Sequence, residues 1–238
     1  MNCVILAAGY ATRLYPLTQN TPKPLLEIGG KTVIDRLLDQ LSETPFEQIV
    51  VVTNARFEQQ FRDWAPAGIE VVANASVEAD DRQGAVADLL LGLDQCGSAA
   101  PCLVSAADNI NPFSVAEFVR AYTGDTQAAV WFNPSQEDQT RRGNVVREAN
   151  RITQFVEKPN PAVSSWAAAP LYLLNAEDCG RVSAFLDGHP RLEQRDAPGH
   201  FFAWLCEQAA VKAVELDASP VDIGNLASLE RARARFGA

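Results

Sequence analysis

Residues 3–24 read CVILAAGYATRLYPLTQNTPKP, and the fold follows from how this stretch begins. The run from Cys3 to Ala8 is apolar at every position and stops at Gly9. Apolarity without alternation predicts a strand buried on both faces, as in a mostly parallel sheet held between helix layers. After Gly9 come small residues, three threonines, three prolines and two cations. Small residues let a backbone approach a ligand closely, and exposed N–H groups can face phosphate oxygens. Arg13 can fork onto one phosphate and Lys23 can place a point charge beside another. Ligands of open α/β sheets bind outside the carboxyl ends of the strands, so the stretch reads as an anion-binding loop. The plainer reading is a glycine turn carrying two solvated cations.

Outward from this strand the chain alternates. Further apolar runs at 49–53, 69–73, 102–107 and 128–132 predict strands. The segments 33–41, 57–64, 84–93 and 115–122 carry apolar residues at helical spacing. Residues 144–159 read as a hairpin turning at Glu148-Ala149-Asn150, and 159–170 as a long loop. A strand at 171–174, helices near 176–186 and 199–208, a strand at 211–216 and a last helix near 226–236 follow. The prediction is a Rossmann-like three-layer α/β/α sandwich, its mixed sheet mostly parallel, with an antiparallel insertion, forming a single domain over residues 1–238.

Composition excludes several classes. At 238 residues, about 70% of the unfolded surface can be buried, so one sizeable core needs no staples. Twenty Lys+Arg against 30 Asp+Glu give a net charge of −10, which argues against polymeric nucleic acid and against docking on anionic lipid. It does not exclude a small anion, because a few close cations outweigh a distant negative field. No apolar run reaches the ~20 residues of a bilayer span and no basic segment opens the chain, so a cytoplasmic protein is expected. Cys3, Cys96, Cys102, Cys179 and Cys206 are odd in number and without ligand spacing, which predicts reduced, mostly buried thiols.

The stretch LAAGYATRLYPLTQNTPKPLLEIGGKTVID (6–35) resembles the signature loop of the sugar-1-phosphate nucleotidylyltransferases. Three further segments resemble that family's motifs in the same order: Ala107-Asp108-Asn109, Phe155-Val156-Glu157-Lys158-Pro159 and Val221-Asp222-Ile223-Gly224-Asn225. The resemblance implies the nucleotide-diphospho-sugar transferase fold, with the insertion serving the sugar. It also implies Mg²⁺-dependent transfer of NMP from an NTP to a sugar 1-phosphate, or a related phosphate monoester, giving an NDP-sugar and pyrophosphate. The attacking phosphate is already ionised, so the reaction needs positioning and charge neutralisation rather than a general base.

By the same resemblance Arg13, Lys23, Asp108 and Asp222 are catalytic, and Asp108 and Asp222 bind the Mg²⁺, for which hard oxygen donors are suited. Leu6, Ala7, Ala8, Gly9, Thr12, Arg13 and Gly84 bind the nucleotide. Gly143, Glu157 and Lys158 bind the sugar phosphate. Two other readings stand beside this one: a cytidylyltransferase acting on a phospho-alcohol such as phosphocholine, and a non-catalytic nucleotide-sugar sensor. A homodimer is compatible with the sequence.

The sequence departs from the family pattern where Ala11 and Ala107 replace glycines and where Ala169-Pro170-Leu171-Tyr172 replaces a Thr-Gly-x-Tyr strand. Gln83 adjoins Gly84 instead of preceding it by several residues, so no base is assigned. His200, Trp131, Trp166 and Trp204 read as structural, and the arginines of the last helix as a solvated face.

Overall fold

The computed structural model describes residues 1–237. Its strands are β1 (Asn2–Leu6), β2 (Glu27–Ile28), β3 (Lys31–Thr32), β4 (Ile49–Asn54), β5 (Ile69–Asn74), β6 (Cys102–Ala106), β7 (Asn109–Ile110), β8 (Gln127–Phe132), β9 (Gly143–Glu148), β10 (Arg151–Glu157), β11 (Trp166–Leu174), β12 (Val211–Glu215) and β13 (Val221–Asp222). The helices are α1 (Val33–Leu41), α2 (Glu58–Trp64), α3 (Ala85–Cys96), α4 (Val115–Arg120), α5 (Gln136–Gln139), α6 (Ala176–Gly188), α7 (Pro198–Gln208) and α8 (Leu226–Phe236).

Nine strands form one sheet in the order β5-β4-β1-β6-β11-β8-β12-β10-β9. β5, β4, β1 and β6 are parallel neighbours, and β8 and β12 pair in parallel. Only β11 and β10 run against the common direction. The sheet is therefore mixed and mostly parallel.

Alternate side chains of each central strand serve opposite layers. Val4, Val50, Val52 and Val104 pack with Val86 and Leu89 of α3, Val182 and Phe185 of α6, and Phe202 and Leu205 of α7. Cys3, Ile5, Val51 and Leu103 pack with Ile34 and Leu37 of α1, Phe61 of α2 and Phe118 of α4. These two apolar layers, one on each sheet face, explain why the strands read as unbroken apolar runs. A third, smaller cluster joins Leu14, Ile28, Val33, Ile110, Ile223, Leu229 and Ala232, so residues from both ends of the chain meet beside the first loop.

Two expectations change. Residues 159–170 are not loop throughout, because β11 already begins at Trp166. Its Ala-Ala-Ala-Pro segment carries little strand signal, and Pro170 sits where the register with β8 shifts between Ala168 and Tyr172, a position that spares the ladder a missing donor. The first strand ends at Leu6, which frees Ala7 and Ala8 for the loop. The hairpin turn stands as read, with Ala149 at φ +52°. All five cysteines are free, with Cys3, Cys102 and Cys179 buried. Among the described residues no helix is long and apolar enough to cross a membrane.

Candidate active site

The loop after β1 is pinned by its carbonyls. Asn54 Nδ2 donates to the Ala8 carbonyl at 2.9 Å, and the Thr18 hydroxyl donates to the Ala11 carbonyl at 2.8 Å. Ala11 takes φ +49°, where the family pattern has glycine; alanine holds that strained conformation because a short 3₁₀ turn over Thr12–Leu14 starts there. Among the described residues the amides of Gly9, Tyr10, Ala11 and Thr12 donate no hydrogen bond within the chain. These donors are unused within the described chain. Arg13 is exposed and forms no ion pair among the described residues.

Lys23 starts a second 3₁₀ turn and is buried, its side chain only 5% exposed. Its Nζ lies 3.0 Å from Asp108 Oδ2 and 3.5 Å from Asp222 Oδ1. The carboxylates come from residues 114 positions apart, yet β7 and β13 pair Asn109 with Asp222 directly. That two-residue ladder puts both acids on one amine. Asp108 Oδ1 also accepts from Asn109 Nδ2 at 2.7 Å. Gly224 closes the group: a side chain there would meet the Asp222 carboxylate at 2.9 Å and the Arg13 guanidinium at 3.2 Å.

A cleft of about 460 Å³ runs over these groups. Leu6, Ala7, Ala8, Gly9, Thr12, Arg13, Lys23 and Asp108 line it, as do Tyr10, Arg82, Ala85, Asp88, Pro170, Asp196, Pro198 and Gly224. Gly84 is not among the lining residues; it lies under the Arg195 backbone, whose carbonyl a side chain at Gly84 would meet at 2.7 Å. Its neighbours Arg82 and Ala85 take that wall.

Asp222 is not among the lining residues either; it adjoins the cleft through Lys23. The remaining expected residues, Gly143, Glu157 and Lys158, lie together beyond the cleft lining. Gly143 pairs with Glu157 across β9 and β10. The Glu157 side chain is 11% exposed and is flanked by Gly143 and by Gly199 of α7. Lys158 Nζ stands 3.4 Å from Glu157 Oε1. Asp196 links this corner to the cleft. The hydrogen bond from His200, 3.1 Å away, and then the charges of Lys158 and Arg82, hold its carboxyl below the usual range against the effect of burial.

Four titratable cleft residues, Tyr10, Arg82, Asp88 and Asp196, were assigned no role from the sequence. Asp88 sits in a mainly apolar helix, and Asp196 in a segment without periodicity. Trp131 is buried, Trp166 lies under the Arg147 guanidinium at 3.6 Å, and Trp204 packs on Phe185 and Phe201. None of the three lines the cleft.

An amide-rich loop with a free arginine and an ammonium shared by two carboxylates stand at the carboxyl ends of β1 and β6, and a second corner with its own ion pair lies where β9 and β10 meet α7. The chain belongs to the nucleotidyl transferase family, whose sequence profile matches residues 2–237. Among its relatives, mannose-1-phosphate guanylyltransferase 1 of Arabidopsis thaliana is 29% identical over 181 residues, covering 74% of this chain and 50% of that protein. The mannose-1-phosphate guanylyltransferase catalytic subunit beta of Drosophila melanogaster is 26% identical over 226 residues, covering 93% of this chain and 58% of its own length. The chain thus spans little more than half of these curated relatives. A solved UDP-glucose pyrophosphorylase complexed with UDP-glucose superposes with a TM-score of 0.82 at 18% identity, covering 99% of this chain and 97% of that one, which establishes the shared fold.

Proposed function

We propose that this chain transfers a nucleotidyl group from an NTP to a sugar 1-phosphate. The observation that carries the reading is the convergence of Asp108 and Asp222 on Lys23, at the open end of the amide-lined loop that ends in Arg13. A phosphate oxygen of the sugar phosphate attacks the α-phosphorus. The bond from that phosphorus to the bridging oxygen breaks, and pyrophosphate leaves with the electron pair. No proton has to be removed, in keeping with a cleft that places no histidine among its lining residues.

The amides of residues 9–12 and Arg13 suit the β- and γ-phosphates and the charge that grows on the departing pyrophosphate. Lys23 suits the α-phosphate or the incoming phosphate, and Lys158 the sugar phosphate. Glu157 is placed to accept from sugar hydroxyls. Asp108 and Asp222 fit Mg²⁺, because two hard oxygen donors already meet at one cationic atom and this ion commonly takes one or two carboxylates with substrate phosphates completing its shell. Bound there, Mg²⁺ supplies neutralisation of phosphate charge.

The phosphocholine reading finds less support. A quaternary ammonium is recognised by an aromatic cage, and among the described residues Tyr10 is the aromatic that lines the cleft. The curated relatives are named for guanylyl transfer and the solved neighbour holds UDP-glucose, so base and sugar vary among similar chains.

The test is pyrophosphate release with Mg²⁺ across five NTPs and a panel of sugar 1-phosphates. Turnover with at least one pair is expected. A folded sample that binds nucleotide yet releases no pyrophosphate with any pair makes the chain a sensor and overturns the proposal.

A further inference from the structure

We infer that the end of the cleft beside β5 holds the base, and that Asp88 reads it and selects guanine; this rests on the nucleotidyl-transfer reading above.

The sheet sets the layout. Asp108 follows β6, the phosphate loop follows β1, and Asn74 ends β5 on the far side of β4. Adjacent strands are about 4.8 Å apart, so the Asn74 end lies roughly 14 Å from the Asp108 end. On that side the cleft lining includes Ala79, from the connection after β5, and Ala85, the first residue of α3, whose small side chains leave room for a flat ring.

Asp88 stands at this end, 7% exposed. It closes a chain of hydrogen bonds. The Tyr10 hydroxyl donates to Ser76 Oγ at 3.1 Å, and Ser76 Oγ donates to Asn74 Oδ1 at 2.7 Å. Asn74 Nδ2 then donates to Asp88 Oδ1 at 2.6 Å. The donors of this relay point towards Asp88, and among the described residues Asp88 Oδ2 has no partner. The relay thus fixes one carboxylate oxygen and presents the other. Burial pushes the carboxyl up to about 6, and the Asn74 bond only partly offsets this. The acid therefore remains mostly ionised at pH 7.

A wall that ends in an acceptor favours a base with donors side by side. Guanine offers N1–H and the 2-amino group on one edge. Uracil and thymine place a single N–H between two carbonyl oxygens, which a carboxylate repels. Cytosine and adenine each offer one amino group next to a ring acceptor.

The test is calorimetric binding of GTP, ITP and the remaining NTPs to the wild-type chain and to Asp88→Asn. ITP is GTP without the 2-amino group. A hydrogen bond to a charged group gives on the order of tenfold to a hundredfold in affinity. Wild type should therefore bind GTP about tenfold or more tightly than ITP, and more tightly than UTP, dTTP, CTP or ATP. Asp88→Asn should weaken GTP by that factor and bring GTP and ITP level. The inference is overturned if wild type prefers another base, or if the GTP-to-ITP ratio is the same in the variant, with urea unfolding confirming that the variant is folded. The wild-type GTP and ITP comparison stands without any variant. Discrimination in binding with no pyrophosphate release would retire the transfer reaction and leave the base assignment intact.

Discussion

Lys23 carries a buried ammonium that two half-exposed carboxylates share. Lys23→Met should leave those acids facing each other without a cation, a like-charge arrangement that a divalent ion relieves. Added Mg²⁺ should then raise the melting temperature of this variant more than that of wild type, as calorimetric scans would show. Among the described residues Arg13 has no ion-pair or hydrogen-bond partner to lose, so Arg13→Ala should lower kcat/KM by about a hundredfold or more while the melting temperature stays within a degree or two. Asp88 illustrates what was illegible in the sequence. Within AVADLLLGL an aspartate reads as the polar position of a helix, and only the meeting of β5, the first loop and α3 buries it.

That burial has a measurable sign. The folded carboxyl of Asp88 titrates at about 6 against an ordinary 3.8, so the folded state binds the proton more tightly. Its contribution is fully favourable below the unfolded value and is lost as pH rises through 6, by about 3 kcal/mol in all. Asp88→Asn should therefore be more stable than wild type at pH 8, with an advantage that vanishes near pH 4. Urea unfolding at both pH values checks this, and a pH-independent difference would contradict it.

Among elements, the contact of α7 with β10 sets the corner around Glu157 that we propose receives the sugar. Gly199, the second residue of α7, touches the Glu157 carboxylate so closely that a methyl group there would overlap it. Gly199→Ala should push that carboxylate aside, costing about 1–3 kcal/mol of stability and raising KM for the sugar phosphate more than for the NTP. Steady-state kinetics with each substrate varied in turn separates the two. Elements of this part of the chain were legible unevenly. The hairpin 144–159 showed its strands and turn, because alternation and a short polar turn survive in the sequence. β7 and β13 showed nothing, since two-residue strands have no period, yet their pairing brings Asp222 to Asp108. The family motifs marked both acids; the ladder that unites them was visible only in the fold.

At the scale of the whole molecule, the two large apolar layers were readable from uninterrupted strand hydrophobicity, whereas the third cluster was not. It joins segments separated by most of the chain and contains few residues from each. Gly29, at φ +61° in the turn between β2 and β3, lies against the Phe236 carbonyl at the end of α8. Arg36 donates to the carbonyls of both Ile28 and Phe236. Gly29→Ala would be strained at that angle and would crowd α8. It should loosen α8 and the neighbouring Ile223, and so lower activity well before the main transition, which far-UV circular dichroism would report.

The dependence of Asp222 on that small cluster separates the durability of the proposed active site from the durability of the fold. The segment 216–220 connects β12 of the large sheet to β13, and α8 is held mainly by Leu14, Ile28, Val33 and Ile110. Opening this patch exposes far less apolar surface than opening either main layer, so it should occur at lower free energy. Mild heat, low urea or a protease nick within 216–220 would disconnect one of the two acids while the nine-stranded sheet stays intact. The molecule would then pass through an inactive but folded form, and its working lifetime would be governed by a patch beside the first loop rather than by its core.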